Sequence, residues 1–141
     1  MRWYLRALGN YFGFSGRSQR SEYWYFVLFN TLIELTIALA VGFIAAINGV
    51  SKSEDIEGWA NGGYLIWSVL TFIPLLAVSV RRLHDIGNSG WWIVLCLVPL
   101  AGPLILLIWD CTDSQIGTNK YGPNPKGVQG PLPATAQKVI P

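Results

Sequence analysis

The sequence predicts an all-α membrane protein: three hydrophobic helical segments, about 23–47, 64–80 and 91–109, preceded by an N-terminal interfacial amphipathic helix. Three observations carry that prediction. Hydrophobic residues make up 52% of the 141 residues and charged residues only 13%, about half the charged fraction usual in soluble chains. The charges cluster in short polar stretches and leave three long apolar runs. Each run is close to the ~20 residues that an α-helix needs to cross a bilayer. The length suits one domain, expected as a single integral membrane unit over 1–126 with a disordered tail over 127–141.

The same numbers exclude other classes. A formal charge of +2 is too small for a nucleic-acid binder, and no zinc-finger, helix-turn-helix or aromatic RNA-binding motif occurs. Cys96 and Cys111 would stand roughly 22 Å apart on one straight helix, too far to pair. With no CxxC and a single histidine, no metal site, redox motif or cofactor is expected.

In residues 1–14, Tyr4, Leu5, Leu8, Tyr11 and Phe12 recur at helical spacing, with Arg2, Arg6 and Asn10 on the other side. That pattern predicts a helix lying on the membrane surface. It does not read as a signal peptide, because it lacks a continuous apolar core and a small-residue cleavage site. Residues 15–22 form a polar turn, with Ser18 or Ser21 placed to cap the next helix.

The run from Tyr23 to Ile47 is long enough to cross with some tilt, and Tyr23, Trp24 and Tyr25 suit the aromatic belt at its entrance. Asn30 and Glu34 interrupt it on a ridge shared with Ala38, Gly42 and Ala46, a small-residue spacing that lets membrane helices approach. Residues 48–63, rich in Gly, Ser and acids, predict an exposed loop. The second span, Tyr64 to Val80, is short but extendable by the aliphatic stems of Arg81 and Arg82, and Pro74 predicts a kink.

Trp91 to Trp109 is interrupted by Pro99-Leu100-Ala101-Gly102-Pro103. Its length favours a continuous crossing; the Pro-x-x-Gly-Pro turn offers a broken, re-entrant hairpin as the alternative. The remainder is polar and turn-rich. Arginine and lysine placement puts the N-terminus and the 81–90 loop in the cytoplasm. A third crossing would send Lys120 and Lys126 outside, so the rule fits less well there.

The most concentrated polar stretch is Arg81-Arg82-Leu83-His84-Asp85-Ile86-Gly87-Asn88-Ser89-Gly90-Trp91-Trp92. With Arg17 and Arg20 it gathers charge at one membrane face, and Arg81 and Asp85 would stand one turn apart on a continuing helix. Three roles fit: an Arg–Asp network that pins helix ends, a site for an anionic lipid headgroup or phosphate-bearing ligand anchored by Trp91 and Trp92, or a docking surface for a partner protein. His84 beside Asp85 invites a catalytic reading, but adjacent helical residues diverge by about 100°. No nucleophile elbow, HExxH or phosphate loop accompanies them. Glu34 lies near mid-span, where a carboxylate must be neutral, paired or wet; a proton or cation site and a hydrogen-bonded helix seam to Thr71 or a second copy are both open.

Gly13-Phe14-Ser15-Gly16-Arg17, Arg20 with Glu22-Tyr23-Trp24, Arg81 through Asp85 with Ser89-Gly90-Trp91-Trp92, and Gly117 through Pro125 together resemble the YhaH/YhaI-like bacterial inner-membrane proteins, domain of unknown function 805. The resemblance covers roughly 1–126. It implies a small multi-span protein of the bacterial inner membrane and assigns no reaction.

The leading functional expectation is a non-enzymatic module binding anionic lipid or a partner membrane protein through Arg17, Arg20, Arg81, Arg82, His84, Asp85, Trp91 and Trp92. Asn119 and Tyr121 join that face if the tail is cytoplasmic, and a homo-oligomer is a further expected partner. A small channel or transport component using Asn30 and Glu34 is the alternative. An enzyme acting on lipid headgroups comes third.

Overall fold

The computed structural model describes residues 2–49 and 53–127, with residues 53–60 described by backbone alone. The elements are α1 (Arg2–Gly9), α2 (Arg20–Ile47), α3 (Ser53–Asp85), a 3-10 helix (Gly90–Leu97) and α4 (Ala101–Cys111). The expected tail lies, from residue 128, outside the described residues.

α2 and α3 form an antiparallel hairpin. Phe26 meets Val78 near one end, and Ile37 Cγ2 lies 3.1 Å from where a Gly63 Cβ would sit further along. α2 and the Asn61–Asp85 part of α3 are long and apolar enough to cross a bilayer. Only 6% and 17% of their apolar windows are buried, so neither is the core helix of a soluble protein. Leu28, Leu32, Leu35, Leu39 and Phe43 all face outward, a surface larger than water-soluble monomers carry.

Three sequence expectations change here. The cap of α2 is Gln19, extended at φ −75°, ψ 161° and making no side-chain capping bond; Ser18 is buried before the helix and Ser21 lies inside it. The loop expected over 48–63 is helical from Ser53. α3 also continues past Val80, bringing Arg81, Arg82 and Asp85 onto a rigid helix end.

Pro74 lies inside α3 and has no N–H for the Leu70 carbonyl. The Tyr11 hydroxyl donates to that carbonyl instead, which folds the N-terminal segment against the hairpin. α1 is shorter than expected, and Tyr4, Ala7 and Leu8 pack on Phe26, Val78 and Tyr23. The Tyr4 ring sits 5.6 Å from that of Phe26 and 5.2 Å from that of Phe29. Much of the face expected to meet lipid therefore meets protein, while Leu5 and Phe12 stay exposed.

The third apolar segment does not run straight. Arg82 Nη2 donates to the carbonyls of Trp109, at 3.1 Å, and Thr112, and the Trp92 and Trp109 rings meet edge-on at 5.9 Å. The start and end of the segment thus stand side by side, and the continuous helix gives way to the broken hairpin. Eight 3-10 residues and eleven α-helical residues span about 16 Å each, half of a ~30 Å hydrocarbon layer.

Proline chemistry causes the break, because Pro99 and Pro103 remove two amide donors within five residues. Leu100 adopts φ 64°, ψ −58°, and the Gly102 N–H returns to the Val98 carbonyl at 3.0 Å. A Cβ at Gly102 would lie 1.6 Å from the Leu95 carbonyl oxygen. Gly102→Ala should therefore lower the thermal midpoint of the detergent-solubilised protein, by at least about 3 kcal/mol of stability. Gly42→Ala, where nothing lies within 4 Å, should be neutral or stabilising by about 0.5–1 kcal/mol.

Candidate functional site

α3 ends in a glycine turn. Gly87 takes φ +86°, its N–H bonds the His84 carbonyl at 3.0 Å, and the Asn88 N–H bonds the Leu83 carbonyl at 2.9 Å, as in helices closed by a left-handed residue. This stop aims the last turn of α3 at the two segments that close around it, residues 10–19 and 110–124.

Asp85 is fully buried, and both its carboxylate oxygens are used. Oδ1 accepts from Arg17 Nε at 3.0 Å; Oδ2 accepts from Arg82 Nη1 at 2.8 Å and Ser114 Oγ at 2.5 Å. Its backbone carbonyl accepts from the Gln115 N–H at 3.0 Å and Arg17 Nη2 at 3.2 Å. One residue thereby joins the N-terminal turn, the end of α3 and the C-terminal segment.

Arg17 spends all five of its donors. Besides Asp85 it bonds the carbonyls of Gly117 at 2.7 Å, Gly122 at 3.2 Å and Gln115 at 2.5 Å. Arg82, also fully buried, spends four, adding Asp110 at 3.4 Å to Asp85, Trp109 and Thr112. Carbonyls, held open by turns that lack helical partners, are what a fork of guanidinium N–H groups can satisfy.

Arg81 does not pair with Asp85 as its spacing suggested. Successive side chains diverge around the helix, and Arg81 reaches Glu22 at 3.1 Å and the carbonyls of Asn10 and Gly13 at 3.3 and 3.0 Å. Its own carbonyl accepts the Ser18 N–H at 3.1 Å. Arg82, one residue on, takes the Asp85 side.

His84 and Asp85 serve different partners. His84 Nδ1 lies 3.2 Å from the Gly16 carbonyl, an acceptor only, so Nδ1 carries the donated proton. The ring stacks on Tyr121 at 3.7 Å and 8°, and Asn119 Nδ2 donates to the His84 carbonyl at 2.9 Å. Asn119 and Tyr121 thus join the arginine-rich face.

Other expected residues fall elsewhere. Arg20 sits at the rim, half exposed, bonding the Cys111 carbonyl at 3.1 Å and facing Asp113 at 3.4 Å. Trp91 and Trp92 stay outside the network and line an apolar depression with Val94, Leu95 and Val98. Asn30 and Glu34 lie along the α2–α3 groove. Among the described residues no group of three His, Cys, Asp or Glu side chains could hold a metal.

Sequence reasoning did not assign roles to Glu22, Ser114, Gln115, Gly117 and Gly122, nor to Asn124, whose Nδ2 donates to the Gln115 carbonyl at 3.0 Å. Glu22 and the Gly117–Pro125 stretch stood within patterned motifs, but Ser114 and Gln115 carried no signal, since one works through a hydroxyl and the other mainly through its backbone. Asp110 is also buried, and burial pushes its carboxyl up to about 6 against the lowering effects of the Tyr23 hydroxyl and Arg82.

Two outcomes follow. Arg17→Lys cannot reach five acceptors with one ammonium and should cost about 3–5 kcal/mol, as when a buried ion pair loses its partner, read by thermal or denaturant unfolding. Asp110 binds its proton more tightly folded than unfolded, so the penalty for ionising it develops between the unfolded value near 4 and about 6. Asp110→Asn should raise the thermal midpoint above pH 6, with the gain narrowing as the pH falls below it.

A family model described as "Protein of unknown function (DUF805)" matches residues 11–123, a range that holds Arg17, Glu22, Arg81, Arg82, Asp85 and Gly122 and leaves α1 outside. The chain is 37% identical over 131 residues to inner membrane protein YhaH of Escherichia coli K12, covering 89% of this chain and 98% of that protein. It is 42% identical over 127 residues to inner membrane protein YhaI of the same strain, covering 89% and 97%. No solved structure matches. The chain, an inner-membrane protein like these relatives, belongs to the DUF805 family of proteins of unknown function.

Proposed function

We propose that the chain is a non-enzymatic membrane module that binds anionic phospholipid headgroups at the rim of the Asp85 network and not within it. The supporting observation is where donors remain. Arg17 has none left and Arg82 has one, and both are buried.

Arg20 and Lys126 line a pocket of about 470 Å³ with Ser21, Trp24 and Cys111. Asp113 is the one carboxylate between them, facing Arg20 at 3.4 Å and Lys126 more closely. The Lys126 hydrogen bond, then the Ser114 N–H, hold its carboxyl below the usual range. Two cations against one carboxylate leave positive charge unmatched, and Trp24, 38% exposed, supplies the amphipathic ring that interfaces favour. A lipid phosphate there would accept from both cations.

In this reading the N-terminus, the 81–90 turn and the segment after α4 share the cytoplasmic side, in one unit over 1–126. Support comes from the arginines flanking the hairpin and from the bonds that join Arg17, Asp85 and Gln115. The exposed apolar faces of α2 and α3 leave room for a second copy or another membrane protein. Hydrolysis of a headgroup by His84 draws no support from a ring stacked under Tyr121.

Mass spectrometry of the protein purified in native lipid should find retained anionic phospholipid. Arg20→Ala with Lys126→Ala should reduce it about tenfold or more, since each basic residue near the surface contributes about 1 kcal/mol. Equal retention by the folded double variant would count against the proposal. A topology reporter joined after residue 127 should read cytoplasmic; a periplasmic reading would remove the shared face.

A further inference from the structure

A second polar site lies far from the arginines. Between α2 and α3, a cavity of about 150 Å³ is lined by Asn30, Thr31, Glu34 and Thr71, with Phe26 and Leu75 among its apolar walls. It sits along the apolar parts of the two helices long enough to cross a membrane, where an unmatched polar group is costly.

Two of the donors in the lining are already committed to backbone carbonyls. The Thr71 hydroxyl donates to the Trp67 carbonyl at 2.9 Å, and Asn30 Nδ2 donates to the Phe26 carbonyl at 2.7 Å. Both bonds turn the remaining oxygen lone pairs outward from the backbone. Asn30 Oδ1 is buried with no partner. Glu34 takes part in none of the ion pairs among the described residues. The Trp67 indole N–H, also unpartnered, is not among the groups lining the cavity.

We infer that this groove is a binding site for an alkali-metal cation. Oxygens from Glu34, Asn30, Thr31 and Thr71 match the hard-cation preference for carboxylate, carbonyl and hydroxyl ligands. One carboxylate sets the charge: a monovalent ion gives a neutral site, whereas a divalent ion would leave net charge at membrane depth, where desolvation is expensive. A bound cation would also satisfy the buried Asn30 oxygen. The inference is independent of lipid binding at Arg20 and Lys126.

The test uses the full chain in lipid nanodiscs and a hydrophobic carbodiimide, which reacts with protonated carboxyls. Labelling of the Glu34 peptide is followed by mass spectrometry in sodium, potassium or choline chloride at equal ionic strength. A cation at about ten times its dissociation constant should slow labelling about tenfold relative to choline. Asn30→Ala should weaken that protection while leaving Glu34 reactive, and Glu34→Gln should abolish labelling at this peptide. Equal rates in all three salts overturn the site. Equal rates together with a dimer that Glu34→Gln dissociates would overturn it in favour of a second helix filling the groove.

Discussion

A buried carboxylate must be surrounded by donors or give up its charge, and Asp85 imposes that condition on the rest of this protein. Its solution is Arg17, Arg82 and Ser114, drawn from three separate stretches. Each recruited guanidinium then needs acceptors of its own, and turns around Gln115, Gly117 and Gly122 supply carbonyls. The result is a polar knot in which side chain and backbone complete one another. Two guanidiniums meet the Asp85 carboxylate there, and the buried Asp110 carboxyl lies beside Arg82 as a second source of negative charge.

That knot does what apolar packing does in a water-soluble domain. The α2–α3 hairpin buries little of itself, and lipid gives apolar side chains no reason to prefer each other. Order is instead imposed at one end, by hydrogen bonds, and along the side by α1. Tyr11 shows the economy of the arrangement: the carbonyl that Pro74 leaves open becomes the anchor for the N-terminal segment. The same logic forces the third segment to turn back. Trp109 and Thr112 must return to Arg82, and the two prolines permit the reversal within five residues.

Class and spans were legible because membrane helices announce themselves by length and by the absence of charge; 23–47 and 64–80 both fall within helices here. The gathering of Arg17, Arg82 and Asp85 was legible as a concentration of charge at one face. Partner choice was not. Whether Asp85 takes Arg81 or Arg82 depends on the rotation of α3 against Glu22, a tertiary matter, and Ser114 and Gln115 contribute through groups that any short polar stretch contains. For Trp91–Trp109 length favoured a crossing over the break that its prolines offered; the segment breaks at those prolines, and its end is held by Arg82, which lies outside it. Trp91 and Trp92, adjacent in sequence to the knot, instead line an apolar depression with Val94, Leu95 and Val98.

The dependence of both flanking segments on Asp85 is most directly visible in amide hydrogen exchange of the lipid-embedded protein carrying Asp85→Asn. Residues 15–19 and 114–122 should lose protection together and to the same extent, while the middle of α2 and α3 stays protected as in the parent. Protection lost in only one of the two segments, or retained in both, would contradict a single carboxylate as the joint between them.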